Sequence, residues 1–249
     1  MNTAMVDVRT PDGSAQAYLA EPGDGGSHPA VLLYMDAFGL RPALERIVER
    51  IAAEGYVVLA PNVFYRDAGA AIASEEVMAS AEARSELFGT LRQYMGALTP
   101  DAVERDAGAY LDFLESRDEV ADGPVGVTGY CMGGRLTILT AGARPERVGA
   151  AATFHAGNLA TDAPESPHRV LDRVQDEVYV AHADQDRSMP PEQIERLDAA
   201  LDAAGVTYRS ELYEGARHGF TMADVEVYDE AASERHYREL LGLLGRALR

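Results

Sequence analysis

A single cysteine, Cys131, stands in the run Gly129-Tyr130-Cys131-Met132-Gly133-Gly134, between a β-branched stretch and a helical one. That layout fits a nucleophile elbow, a tight strand-to-helix turn that exposes its central side chain. Glycines two before and two after the cysteine are needed because such a turn brings the neighbouring backbone too close for a Cβ. Cys131 then opens the following helix, where free N–H groups and the helix dipole favour negative charge on sulfur. The N–H of Met132 would face a developing oxyanion. With no second cysteine, neither an intramolecular disulfide nor a cysteine-based metal cluster can form. A lone cysteine is usually a small buried hydrophobe, so the turn alone leaves burial and catalysis both open.

Further along, two loops carry groups that could serve a cysteine nucleophile. His182-Ala183-Asp184-Gln185-Asp186 follows one apolar run, and Glu214-Gly215-Ala216-Arg217-His218-Gly219-Phe220 follows the last. His218 can take the thiol proton and return one to a leaving group. An aspartate would hold its tautomer and steady the imidazolium. Asp184 and Asp186 both fit that role by residue type. His155 and His182 also end apolar runs and read as structural or pocket-lining histidines; His28, His168 and His236 read as loop or helix-surface residues without a role.

The elements that must position these groups alternate short β-branched runs with helical stretches, the pattern of a mostly parallel sheet covered on both faces. Met5–Thr10 and Gln16–Ala20, joined through Pro11-Asp12-Gly13, read as an antiparallel edge hairpin. Ala30–Met35, Tyr56–Ala60, Pro124–Gly129, Val148–Phe154, Glu177–Ala181 and Thr207–Tyr213 read as strands. Leu44, Ile47, Val48 and Ile51 recur at helical spacing before Gly55. Thr99-Pro100-Asp101 has the hydroxyl, proline and acid of a helix start. Arg135–Ala143, a stretch opening at Pro190-Pro191-Glu192, and a segment carrying Tyr237, Leu240, Leu241, Leu244 and Leu248 complete the helices. The connection from Asn62 to about Gly96 reads as a helix plus a surface segment that could act as a lid. The fold class expected is an α/β-hydrolase, one domain over residues 1–249.

Hydrophobic residues at 47% and charged residues at 25% are ordinary for a water-soluble globular chain. The formal net charge of −19 disfavours nucleic acid and anionic lipid as partners. All 22 basic residues are arginine, which reads as coding bias rather than function. No signal peptide or membrane span is expected, and a cytoplasmic enzyme is the default.

Taken together, these residues resemble the dienelactone hydrolase family, over nearly the whole chain from Ala30 to the last helix. Met35-Asp36-Ala37-Phe38-Gly39, Ala60-Pro61-Asn62-Val63-Phe64-Tyr65, Gly129–Gly134 and Tyr213–Phe220 carry the resemblance. It implies Cys131, Asp186 and His218 as catalytic residues, with Pro190 four residues after the acid marking Asp186 over Asp184. It implies the N–H of Ala37 as the second oxyanion donor. A family glutamate that contacts the resting cysteine is replaced here by Asp36, one methylene shorter. His155 stands where relatives carry an aromatic pocket residue. Family members that act on dienelactone hold its carboxylate with arginine, one of them shortly after the catalytic histidine. Here Thr221-Met222-Ala223 follows Phe220 with no arginine nearby, and Arg84 in the long connection is the candidate for a positive charge.

The reading is therefore a hydrolase of a small ester or lactone through an acyl-cysteine intermediate, with a preferred substrate other than dienelactone. No cofactor and no metal are called for, because water enters only after acylation. Two alternatives remain. Cysteine amidotransferases share the Gly-rich turn but place an acid beside the histidine, which His218-Gly219-Phe220 does not offer. A non-catalytic small-molecule-binding protein on a hydrolase scaffold would keep the fold and carry an inert thiol. The substrate and the oligomeric state are not fixed by sequence.

Overall fold

Ala30–Tyr34 (β3), Val57–Pro61 (β4) and Val125–Tyr130 (β5) contain no charged residue, and every position in them is buried. Such runs belong in the middle of a sheet with helices on both faces. The computed structural model describes residues 1–69 and 72–248. Its sheet has eight strands, adding Asn2–Thr10 (β1), Gly13–Glu21 (β2), Val148–Phe154 (β6), Glu177–Ala183 (β7) and Tyr208–Tyr213 (β8), in the order β1-β2-β4-β3-β5-β6-β7-β8. The β1–β2 hairpin is antiparallel, with Thr10 opposite Gly13, and β2 pairs antiparallel with β4. From β4 onward every pairing is parallel. The carboxyl ends of β3, β5, β6, β7 and β8 thus share one rim.

Two glycines of β5 report the two helical layers. A Cβ on Gly126 would lie 2.4 Å from Leu244, in the helix Glu230–Ala247 (α7). A Cβ on Gly129 would lie 2.6 Å from Thr137, in the helix Met132–Ala143 (α5). Side chains alternate between the faces of a strand, so α7 and α5 press on opposite faces. Pro42–Ala53 (α1) lies on the α7 side, tied to it by Arg50–Glu234 at 2.5 Å, and buries Leu44, Ile47, Val48 and Ile51. Pro100–Glu115 (α4), after the Thr99 cap, packs against α5 on the other side.

The connection after β4 holds two helices, Glu75–Ala79 (numbered α2) and Ala81–Gly96 (α3), capped by the hydroxyls of Ser74 and Ser80. Residues 70 and 71 of this expected lid segment lie outside the described residues. Pro191–Ala204 (α6) and a 3-10 turn at Pro167–Arg173 complete the helices among the described residues, and α5 begins at Met132, directly after Cys131 and three residues ahead of the apolar run. His236 requires a correction. It is fully buried rather than on a helix surface, because α7 turns Ser233, His236, Tyr237 and Leu240 inward together. Its Nε2 meets the Tyr130 hydroxyl at 2.8 Å. Among the described residues, no helix is long and apolar enough to cross a membrane.

Candidate active site

The turn at Cys131 is strained in the way its glycines require. Cys131 has φ 53 and ψ −115, a conformation that L residues rarely adopt. A Cβ on Gly133 would sit 2.4 Å from the Tyr34 carbonyl oxygen, at the end of β3. Close approach of α5 to β3 is therefore possible only with glycine there. The N–H of Cys131 bonds the carbonyl of Phe154 at 3.1 Å, fixing the turn to the end of β6. The thiol remains partly accessible.

Two further non-glycine residues with positive φ end neighbouring strands: His155 (φ 41) after β6 and Gln185 (φ 54) after β7. Strain of this kind persists where surrounding structure imposes it, and it gathers at functional sites. The turn at Gln185 separates the roles of its flanking aspartates. Asp184 accepts the N–H of Gly215 at 3.0 Å and so braces the loop after β8. Asp186 meets Nδ1 of His218 at 2.6 Å through Oδ2, while its Oδ1 accepts the N–H and hydroxyl of Ser188 at 2.8 and 2.7 Å. A carboxylate only accepts, so Nδ1 carries the proton and Nε2 is left for another partner.

Charges at this end of the sheet follow from those contacts. Burial works against a charge on His218, but the Cys131 sulfur and the Asp186 carboxylate outweigh it and hold the imidazolium well above the ordinary histidine range. Burial pushes Asp186 up, yet its bonds from His218 and Ser188 leave it below the usual carboxylate value. His155 is different. It is sealed from solvent, its ring stands edge-on to His218 with centroids 5.2 Å apart, and its Nε2 meets the Thr221 hydroxyl at 2.7 Å. Burial, with His218 adding to it, pushes its pKa well below the ordinary value and keeps the ring neutral.

Cys131, His155 and His218 line a cleft of about 320 Å³. Phe38, Phe88, Met222 and Val225 give the cleft much of its apolar lining. Asp36 borders it too, with both oxygens of its carboxylate bonded to groups other than the sulfur. Its partners are Arg41, with Nη1 at 2.7 Å and Nη2 at 2.9 Å, and the N–H of Phe38 at 2.9 Å. Arg84 of α3 also reaches the cleft, where it pairs with Glu226 at 2.5 Å and donates to the Met78 carbonyl. Among the described residues, the N–H groups of Ala37 and Met132 have no hydrogen-bond partner, leaving both free to donate.

His182 ends in the core, not the cleft: it is buried, with Nε2 on the Ser210 hydroxyl at 3.0 Å. No group of potential metal ligands occurs among the described residues. Sequence reading missed Arg41, Thr221, Asp224 and Glu226. Arg41 and Asp224 stand 183 positions apart, and no local pattern links such a pair.

Comparison with known proteins identifies the family. The model of the dienelactone hydrolase family matches residues 15–248. A carboxymethylenebutenolidase of Rhodococcus opacus is 26% identical over 231 residues, covering 92% of this chain and 84% of the relative. A Synechocystis protein provisionally given the same name is 28% identical over 238 residues, covering 94% and 93%. A crystal structure from Klebsiella pneumoniae, provisionally named a dienelactone hydrolase, superposes with TM-score 0.85 at 22% identity, covering 98% of both chains. A dienelactone hydrolase-like promiscuous phosphotriesterase from metagenomic libraries superposes with TM-score 0.79 at 23% identity over the full length of both. These two likenesses establish the α/β-hydrolase fold. With the family model spanning all but the first fourteen residues and the last residue, the chain belongs to the dienelactone hydrolase family and is a hydrolase of the ester and lactone class.

Proposed function

We propose that the protein hydrolyses a small uncharged carboxylic ester or lactone through an acyl-cysteine intermediate. The observation that carries this is the 2.6 Å bond from Asp186 to His218, made beside a cysteine held at φ 53 on the same cleft. In this scheme Cys131 sulfur attacks the carbonyl carbon, and its proton resides on Nε2 of His218. Negative charge collects on the carbonyl oxygen, which accepts from the N–H groups of Met132 and Ala37. Collapse breaks the C–O bond, and His218 donates its proton to the departing alkoxide or enolate oxygen. Water then attacks the thioester, giving up its proton to His218, and cysteine is released as the carboxylic acid forms.

Asp186 keeps His218 in the required tautomer throughout and balances the imidazolium. His155, neutral and sealed behind the ring, serves as pocket wall. Asp36 enters through its pairing with Arg41 rather than through the sulfur. Preference for an uncharged substrate rests on the state of the two arginines at the cleft. Arg41 holds Asp36 and Asp224, and Arg84 holds Glu226, so neither offers an unneutralised guanidinium to a substrate carboxylate. Dienelactone, which carries one, is for that reason not the substrate we assign.

Replacing the nucleophile is the direct test. Cys131→Ala should abolish the burst of leaving group released on mixing with an activated ester, together with steady turnover. Turnover equal to that of the unaltered protein would refute the cysteine assignment, and absence of turnover in the unaltered protein would favour a binding protein on a hydrolase scaffold.

A further inference from the structure

The loop after β3 carries the free N–H of Ala37, and the loop after β8 carries His218. One buried side chain grips both. Arg41 is 3% exposed, and each of its three guanidinium nitrogens is engaged. Nη1 and Nη2 donate to the two oxygens of Asp36 at 2.7 and 2.9 Å, beside Ala37 in the chain. Nε and Nη2 donate to the two oxygens of Asp224 at 2.6 and 3.3 Å. Asp36 is itself 4% exposed and also accepts the N–H of Phe38, so its carboxylate fixes the turn that presents Ala37.

Asp224 in turn belongs to a stretch of successive tight turns that begins at the base. Phe220 N–H bonds the carbonyl of Arg217 at 3.0 Å, Met222 that of Gly219 at 2.9 Å, and Val225 that of Met222 at 3.3 Å. A displacement at Asp224 is therefore passed back toward His218 rather than absorbed. The planar fork of a guanidinium suits this double bidentate grip, which a lysine ammonium cannot reproduce.

We propose that Arg41 is a positioning residue: through Asp36 and Asp224 it sets the oxyanion-binding loop against the base loop, holding the Ala37 N–H in register with the reacting sulfur. The proposal rests on the acyl-cysteine reading above. It assigns Arg41 no contact with substrate, and it gives Asp36 a function that requires no bond to Cys131.

Two reactions of the same sulfur separate this role from a general one. Acylation by an activated ester needs the oxyanion donors. Alkylation by iodoacetamide, in which sulfur forms a bond to carbon as iodide leaves, does not; it needs only the sulfur and a His218 still held by Asp186. Loss of one oxyanion donor lowers turnover about 10² to 10³-fold, so a donor out of register should cost about 10 to 100-fold. Arg41→Met should fall near the upper figure and Asp224→Asn near the lower. In both, KM should stay within about twofold and alkylation within about threefold of the unaltered protein.

Acylation that is unchanged in both variants would overturn the proposal, as would a rise in KM with constant kcat. A parallel loss of acylation and alkylation would also overturn it, marking general disruption of the site. Should Arg41→Met fail to fold, with two carboxylates left facing each other, Asp224→Asn alone decides. Arg41→Lys should not recover acylation; full recovery would mean that charge alone suffices and would remove the register argument. Failure of the acyl-cysteine reading is seen separately, as absence of acylation in the unaltered protein.

Discussion

Two parts of the cleft lining are built on different principles. On the sheet side, Cys131, His155 and His218 are set by backbone: positive φ angles, glycines without room for a Cβ, and loops that begin where parallel strands end. Elsewhere in the lining, the loop from Gly219 to Asp229 is held by arginines reaching in from other elements, Arg41 to Asp224 and Arg84 to Glu226. Backbone placement gives reacting atoms a fixed geometry that hardly responds to salt or small changes of pH. Ion pairing gives the other part a geometry that can be altered one side chain at a time. On the proposed reading the backbone-set part places the sulfur and the base, while the ion-paired part sets the oxyanion loop through Arg41 and the charge of the cleft through Arg84.

The largest effect should come from breaking the backbone-set part where it does depend on a charge. Asp186→Asn keeps the shape of the acid but lets the amide favour the wrong imidazole tautomer. Turnover should fall about 10⁴-fold, as when a triad acid is neutralised. The alkaline limb of the activity profile should also move to lower pH, because Asp186 is one of the groups holding the His218 imidazolium above its ordinary value. A variant within tenfold of full activity would mean that another group orients the base.

How much of each side could be read from sequence follows the same division. The elbow glycines, the strand ends and the order of nucleophile, acid and base are local or topological, so the fold and the positions of Cys131 and His218 were legible. Asp186 was separable from Asp184 only by family resemblance. The physical difference, a positive φ at Gln185 that turns one carboxylate to Gly215 and the other to His218, has no residue signature. Of the ion-paired wall, Arg84 was legible as a positive charge but none of its pairings was. Arg84 and Glu226 are 142 positions apart, and Arg41 reads from sequence as an unremarkable residue before a helix. His236 was misjudged for a related reason: its burial depends on which face α7 turns to the sheet, and a polar residue within an apolar stripe gives no sign of its partner.

The buried histidines sharpen the comparison at an intermediate scale. Burial lowers His182 to about 4 and His236 to about 3, and holds His155 well below its usual value. A folded value below the unfolded one, about 6.5, means that these groups impose no cost above the ordinary value. As pH falls below it, each lowers stability by about 1.4 kcal/mol per pH unit until its folded value is reached. His218 has the opposite sign. Its stabilisation is complete below the ordinary value and is lost as pH rises through the higher folded one. Denaturant unfolding between about pH 6.5 and 4.5 should show stability dropping with a slope that His182→Gln makes shallower by one histidine's share. An unchanged slope would mean that His182 titrates normally and is reached by solvent.

The smallest effect tests the adjustable wall. Glu226 is well exposed, with 61% of its side chain accessible, whereas Arg84 is 13% accessible and is also anchored on the Met78 carbonyl. Glu226→Gln should therefore leave the guanidinium in place but no longer neutralised. An ester bearing a free carboxylate would meet one fewer negative charge and one unpaired positive charge at the cleft. Its KM should fall about two- to fivefold at low ionic strength, the size expected of an exposed charge, and the gain should shrink as added salt screens it. The KM of an uncharged ester should not change. If both substrates responded alike, Glu226 would be shaping the loop rather than its charge, and selection by the ion-paired wall would have to be assigned to Phe38, Phe88 and Met222 instead.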